Sequence, residues 1–209
     1  MKQPLWVLVL ILCIEIMVVL VFIPGNMTEN IIQKEAAMID STMGVETRNM
    51  IHLKAQNWYR KSVIDSGFYE WLHHLFIPTP EQRDKGHGMK DFGKGYFAWI
   101  ETRIEALTTV FYQFFTRVAL FTIWMPYMLI MLLPAMYDGY MTWRIKCTNF
   151  DYVSPVLHQA SNRGAILLAF IVIISFFFPF VVPPLLMPIL MILMCILIGI
   201  GISNLQKRF

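Results

Sequence analysis

Glu15 is the residue most able to do chemistry in this chain, because it stands eleven residues into an apolar run, residues 4–23, that holds no other charge. A carboxylate at that depth costs roughly 2.5 to 3.5 kcal/mol on insertion scales and is usually paired or functional. A proton-linked carrier or channel subunit would use such a group to bind a proton or cation alternately. A structural ion pair would instead hold helices together, with Arg117, near the outer end of the second apolar run, reaching partway down and Thr122 and Ser175 offering hydroxyls. His73 and His74 are adjacent, so on a helix they project about 100° apart and do not form the i, i+4 metal pair. They suit aromatic packing at a membrane interface. His52, His87 and His158 have no companions at ligand spacing, and Cys13, Cys147 and Cys195 form neither a CxxC nor a zinc set. Gly86, Gly88, Gly93 and Gly95 mark a flexible loop; a phosphate cradle would need the GxxxxGK[ST] order, which is missing. No Ser, His and Asp set suggests a hydrolase. The chain reads as a non-enzyme with no catalytic residues, cofactor or metal.

The elements that position these residues follow from composition. Of 209 residues 57% are hydrophobic and 15% charged, and the mean hydropathy is +0.56. An ordinary soluble domain is about a quarter charged, and here the apolar residues gather in blocks. The expected class is all-α, a polytopic membrane protein with four transmembrane helices and a helical periplasmic insertion between the first and second. A net charge of +3 with dispersed basic residues does not suggest the clustered basic face of a nucleic-acid groove.

Residues 1–25 form an N-terminal signal-anchor span, since the 20-residue run exceeds a signal-peptide core and Pro24-Gly25-Asn26-Met27 offers no cleavage site. Residues 26–105 hold 10 Lys or Arg against 11 Asp or Glu and form the periplasmic insertion. Within it Thr28 can cap a helix bearing Ile31, Ile32, Met38, Ile39 and Met43 on one face. Gly44 interrupts that helix, a second begins near Val45, and the aromatic stretch 68–76 favours the interface. From Tyr96 the chain turns helical. Residues 106–137 form a long second helix whose membrane part runs from Arg117 to Tyr137, with a kink at Pro126. Residues 138–164 are a cytoplasmic loop, and residues 165–209 a transmembrane hairpin, its 18-residue runs 165–182 and 185–202 separated by Pro183-Pro184. Gly199 and Gly201 would let a neighbouring helix approach.

Four spans put both termini on one side with the loop. That side carries Lys2, Arg144, Lys146, Arg163, Lys207 and Arg208 in short segments, so the positive-inside rule makes it cytoplasmic. The expected location is a bacterial inner membrane, multi-pass, with both termini cytoplasmic.

The loop carries the most distinctive wording: Asp138-Gly139 to end the second span, Tyr140, Trp143, Phe150 and Tyr152 interleaved with Arg144 and Lys146, and Ser154-Pro155 to start the next helix. Such a loop lies against lipid headgroups or forms a docking surface, since Arg and aromatics dominate binding hot spots. The stretch from Pro134-Ala135-Met136-Tyr137-Asp138-Gly139 through Trp143-Arg144-Ile145 to Phe150-Asp151-Tyr152-Val153-Ser154-Pro155 resembles a family of integral membrane proteins. That family is encoded in integrating conjugative elements and conjugative plasmids, often beside the coupling-protein gene, and includes proteins called TraJ in some plasmids. The resemblance extends to the plan of spans and brings no catalytic residues with it. It implies a non-enzymatic inner-membrane component of a conjugative DNA-transfer apparatus related to type IV secretion. Its partners would be membrane lipids and other membrane proteins of that apparatus, plausibly the coupling ATPase, with no direct nucleic-acid contact and a homo-oligomer left open. The alternatives are the carrier centred on Glu15 and an exclusion protein that alters recipient cells.

Overall fold

A computed structural model describes residues 5–22, 25–76, 92–149, 151–178 and 180–206, and among them every regular element is helical. The order is α1 (Leu5–Phe22), α2 (Gly25–Met43), α3 (Val45–Tyr59), a π-helical turn (Arg60–Ile64), α4 (Phe68–Phe76), α5 (Phe92–Thr148), α6 (Pro155–Phe177) and α7 (Leu186–Ser203). Among the described residues three helical stretches are long and apolar enough to cross a membrane: Trp99–Thr148, Pro155–Phe177 and Leu186–Ser203. The backbone of α1 coincides with the first expected span, while the Glu15 side chain lies outside the described residues, as do residues 77–91 with Gly86 and Gly88.

The chain divides into two compact units. The first comprises Met1–Ala119 with Phe176–Val182, the second Leu120–Ser175 with Pro183–Phe209. In the first unit α2 buries Thr28, Ile31, Glu35 and Ile39, one stripe at helical spacing. Thr28 therefore does not cap the helix: α2 begins at Gly25, and the threonine is 2% exposed on the buried face. Met38, expected on that face, is exposed. Gly44 does interrupt the helix. Its φ of +86° is a conformation that side-chain-bearing residues rarely adopt, and an Arg48–Asp40 ion pair of 3.4 Å spans the break. Ile51, Ala55 and Val63 continue the core. A second positive φ, +71° at Gly67, ends the π turn and admits α4. There Leu72 packs with Ile100 and Ile104 of α5, and Phe68 and Leu107 flank them.

His52 of α3 shares a 3.0 Å hydrogen bond with the Tyr112 hydroxyl of α5, so it has a companion that linear spacing concealed. Burial, with the nearby Arg48 charge, holds His52 below its usual 6.5. A lowered histidine pKa means the unfolded chain binds the proton more readily. Stability is then flat above about pH 6.5 and is lost as the pH falls below it towards the folded-state value. Melting curves in detergent between about pH 5 and 8 should show that decline, and His52→Gln should remove this component of it.

The helix α5 differs from expectation at both ends. It starts at Phe92, so Gly93 and Gly95 are helical, because propagation adds a hydrogen bond per residue once the downstream stripe has formed. It also contains Pro126 and Pro134 and runs past Asp138-Gly139 to Thr148. Residues 138–148 are thus helix rather than loop, and only the stretch from 149 to 154 connects α5 to α6.

In the second unit the reason for Gly139 is visible. A Cβ there would lie 2.6 Å from the Gly199 carbonyl oxygen, and a Cβ on Gly199 would lie 3.2 Å from the Ala135 oxygen. The glycines let α5 and α7 cross backbone to backbone, as small residues do in membrane bundles. Gly201 similarly faces Ser161 of α6. The approach expected at Gly199 and Gly201 is present.

Candidate functional sites

Arg117 is the centre of the first unit. It is 2% exposed and Glu35 4%. Arg117 Nη2 donates to Glu35 Oε1 at 2.6 Å and Nε to Oε2 at 3.3 Å. Nη1 donates to the carbonyls of Phe178 at 2.6 Å and Phe176 at 3.4 Å, and Nη2 to Phe180 at 2.7 Å. A guanidinium has five N–H donors, and these five acceptors, all on described residues, lie within hydrogen-bond reach of them. The Val182 amide donates in turn to Glu35 Oε1 at 2.9 Å. One ion pair therefore ties α2 and α5 to the end of α6 and the strap that follows it, through Phe176, Phe178, Phe180 and Val182.

The strap leaves the helix for local reasons. A proline disfavours helical geometry at the residue before it, so Pro179 ends the helix short of Phe178, and the carbonyls of Phe176, Phe178 and Phe180 accept from the arginine. This is why α6 stops at Phe177 rather than reaching residue 182. Phe114 stacks on Phe177 at 4.7 Å and meets Phe176 edge-on at 6.0 Å.

Arg117 was expected to reach partway towards Glu15, whose side chain lies outside the described residues; among the described residues its carboxylate is Glu35. The signal for Glu35 was present in the sequence, as an acid in register with Ile31 and Ile39 on an apolar stripe. With its donors spent on protein acceptors, the arginine is suited to holding structure together. Burying a fully satisfied bidentate pair fixes geometry more than it adds net stability.

The residues expected to dock partners divide sharply in the second unit. Trp143 Nε1 donates to the Leu205 carbonyl at 3.0 Å, and Lys146 Nζ to Ser203 O and Asn204 Oδ1, both at 3.2 Å. His158 Nδ1 donates to the Gly201 carbonyl at 2.9 Å. These bonds satisfy carbonyls at the end of α7 that a helix leaves without partners. Ser154 accepts the Leu157 amide at 3.3 Å and Pro155 opens α6, a cap and first-turn proline as expected. Ser154→Ala should cost about 0.5 to 2 kcal/mol of stability, read as a lower melting temperature in detergent with the helical circular-dichroism signal retained below it.

Gly139 is buried at the crossing, and Phe150 lies outside the described residues. Exposed are Asp138, Tyr140 and Arg144 on α5 and Tyr152, 81% exposed, on the connector. Tyr137, also exposed, precedes Tyr140 and Arg144 by three and seven residues, so the three share one helix face. Among the described residues no group of three His, Cys, Asp or Glu could hold a metal ion. Cys13, Cys147 and Cys195 are free thiols.

No curated protein and no solved structure matches the chain. Residues 21–209 match a family model described as IncC plasmid conjugative DNA transfer protein DtrJ-like. That match covers nearly the whole chain, including both units and the conjugation-associated wording around Asp138-Gly139, and it places this protein in the DtrJ-like family of conjugative DNA transfer proteins.

Proposed function

We propose that this protein is a non-enzymatic inner-membrane component of the conjugative apparatus that holds partner proteins, the coupling ATPase first among them. A role in conjugation follows from the family. The docking role is supported by the division of labour around the α5–α6 connector. Trp143, Lys146 and His158 bond to the end of α7, while Tyr137, Tyr140, Arg144 and Tyr152 remain exposed. Tyrosines and an arginine displayed on a braced helix have the composition of a binding hot spot. In this reading α1 is a fourth span, residues 26–105 are periplasmic, and the docking face is cytoplasmic. Reporter fusions near Lys85 and Lys146 should then report opposite compartments.

The test is purification of the tagged protein from conjugating cells in mild detergent. The coupling ATPase should co-purify and should be lost with Arg144→Glu combined with Tyr152→Ala. Recovery of the ATPase unchanged by those substitutions would refute the docking face.

A further inference from the structure

The first unit contains an open groove of about 350 Å³, lined by residues including Glu29, Gln33, Tyr59, Thr109 and Tyr112. Its volume is at the small end for ligand sites, enough for a side chain rather than a nucleotide. The lining has a consistent character. Glu29 is exposed and makes no hydrogen bond or ion pair among the described residues. Tyr59 and Tyr112 stand edge to face at 5.8 Å. The hydroxyls of Thr108 and Thr109 donate to the Glu105 carbonyl at 2.7 and 2.9 Å. Burial raises the Tyr59 phenol above its usual 10.0, so it stays neutral. No Lys, Arg or His lines the groove. The walls therefore present one unpaired carboxylate, aromatic rings and acceptor oxygens.

We propose that this groove takes the arginine side chain of a partner protein, with the guanidinium against the Glu29 carboxylate and the Tyr59 and Tyr112 rings. Arginine fits better than lysine because its planar fork pairs with a carboxylate in bidentate fashion and stacks on aromatic faces. This second docking point lies in the first unit and stands independently of the α5 face.

The full chain in lipid nanodiscs, with isotope-labelled isoleucine methyls, is titrated with blocked Gly-Arg-Gly. The Ile32 methyl, which lines the groove, should shift saturably. Glu29→Gln, a substitution of an exposed residue, should weaken binding by about tenfold or more, the size expected when a charged hydrogen-bond partner is removed. The citrulline tripeptide should give no saturable shift, and the lysine tripeptide and ethanolamine should bind more weakly than arginine. Equal binding of citrulline, full binding by Glu29→Gln, no Ile32 shift with arginine, or lysine or ethanolamine binding as tightly as arginine would each overturn the proposal.

Discussion

Arg117→Gln should be the most damaging single substitution in the first unit, lowering stability by about 3 to 5 kcal/mol, the loss measured when one member of a buried ion pair is removed. The variant takes the guanidinium from the buried Glu35 carboxylate, which keeps the Val182 amide as a donor, and strands the carbonyls of Phe178 and Phe180. The expected result is a sharp fall in membrane accumulation and in melting temperature in detergent. Replacing both partners, Arg117→Met with Glu35→Leu, should recover part of the loss, because the buried charge is gone. Recovery should be incomplete, since the strap carbonyls still lack donors and each unsatisfied buried group costs about 1 to 3 kcal/mol. Glu35→Gln alone should resemble Arg117→Gln, whereas a wild-type melting temperature in either single variant would show that the pair carries little of the fold.

The second large effect is expected at Gly139. Alanine normally stabilises a helix by about 1 kcal/mol over glycine, yet here the added methyl would sit 2.6 Å from a backbone oxygen of α7 that cannot rotate away. Overpacking costs about 1 to 3 kcal/mol, so the sign should reverse and Gly139→Ala should destabilise. Gly199→Ala meets its nearest oxygen at 3.2 Å and should be milder, while Gly139→Leu should prevent the crossing altogether. Melting temperatures in detergent should therefore rank wild type above Gly199→Ala, Gly199→Ala above Gly139→Ala, and Gly139→Leu lowest. A melting temperature raised by Gly139→Ala would show that α5 and α7 do not approach there.

These two sites show where sequence patterning is informative and where it stops. Apolar blocks and the Ser154-Pro155 start are local signals, and the start of α6 at Pro155 and the span of α7 from Leu186 to Ser203 follow them closely. Gly44 reads correctly for the same reason: it breaks a helix within its own neighbourhood. Gly139 looks like a helix end in sequence because an Asp-Gly pair commonly marks a turn. Its role is set instead by Gly199, 60 residues away, and long-range packing leaves no local trace. The same holds for Arg117. A lone arginine at the edge of an apolar run announces a buried partner, but only the folded chain brings Glu35, 82 residues away, against it. Trp143 and Lys146 looked like docking residues by type, and the carbonyls at the end of α7 claim them first. The aromatic and basic side chains that remain exposed among the described residues there, Tyr137, Tyr140, Arg144 and Tyr152, make a smaller surface than the wording of the segment suggests.

The measurement that bears most directly on that surface is plasmid transfer from donors lacking the gene and complemented by a Tyr140→Ala, Arg144→Glu, Tyr152→Ala variant. These side chains are exposed, so the variant should reach the membrane at the wild-type level and melt at the wild-type temperature. Transfer should nonetheless fall to the level of the deletion in donors, with recipients unaffected. Wild-type transfer from such donors, or a defect seen in recipients alone, would contradict a docking role for this face.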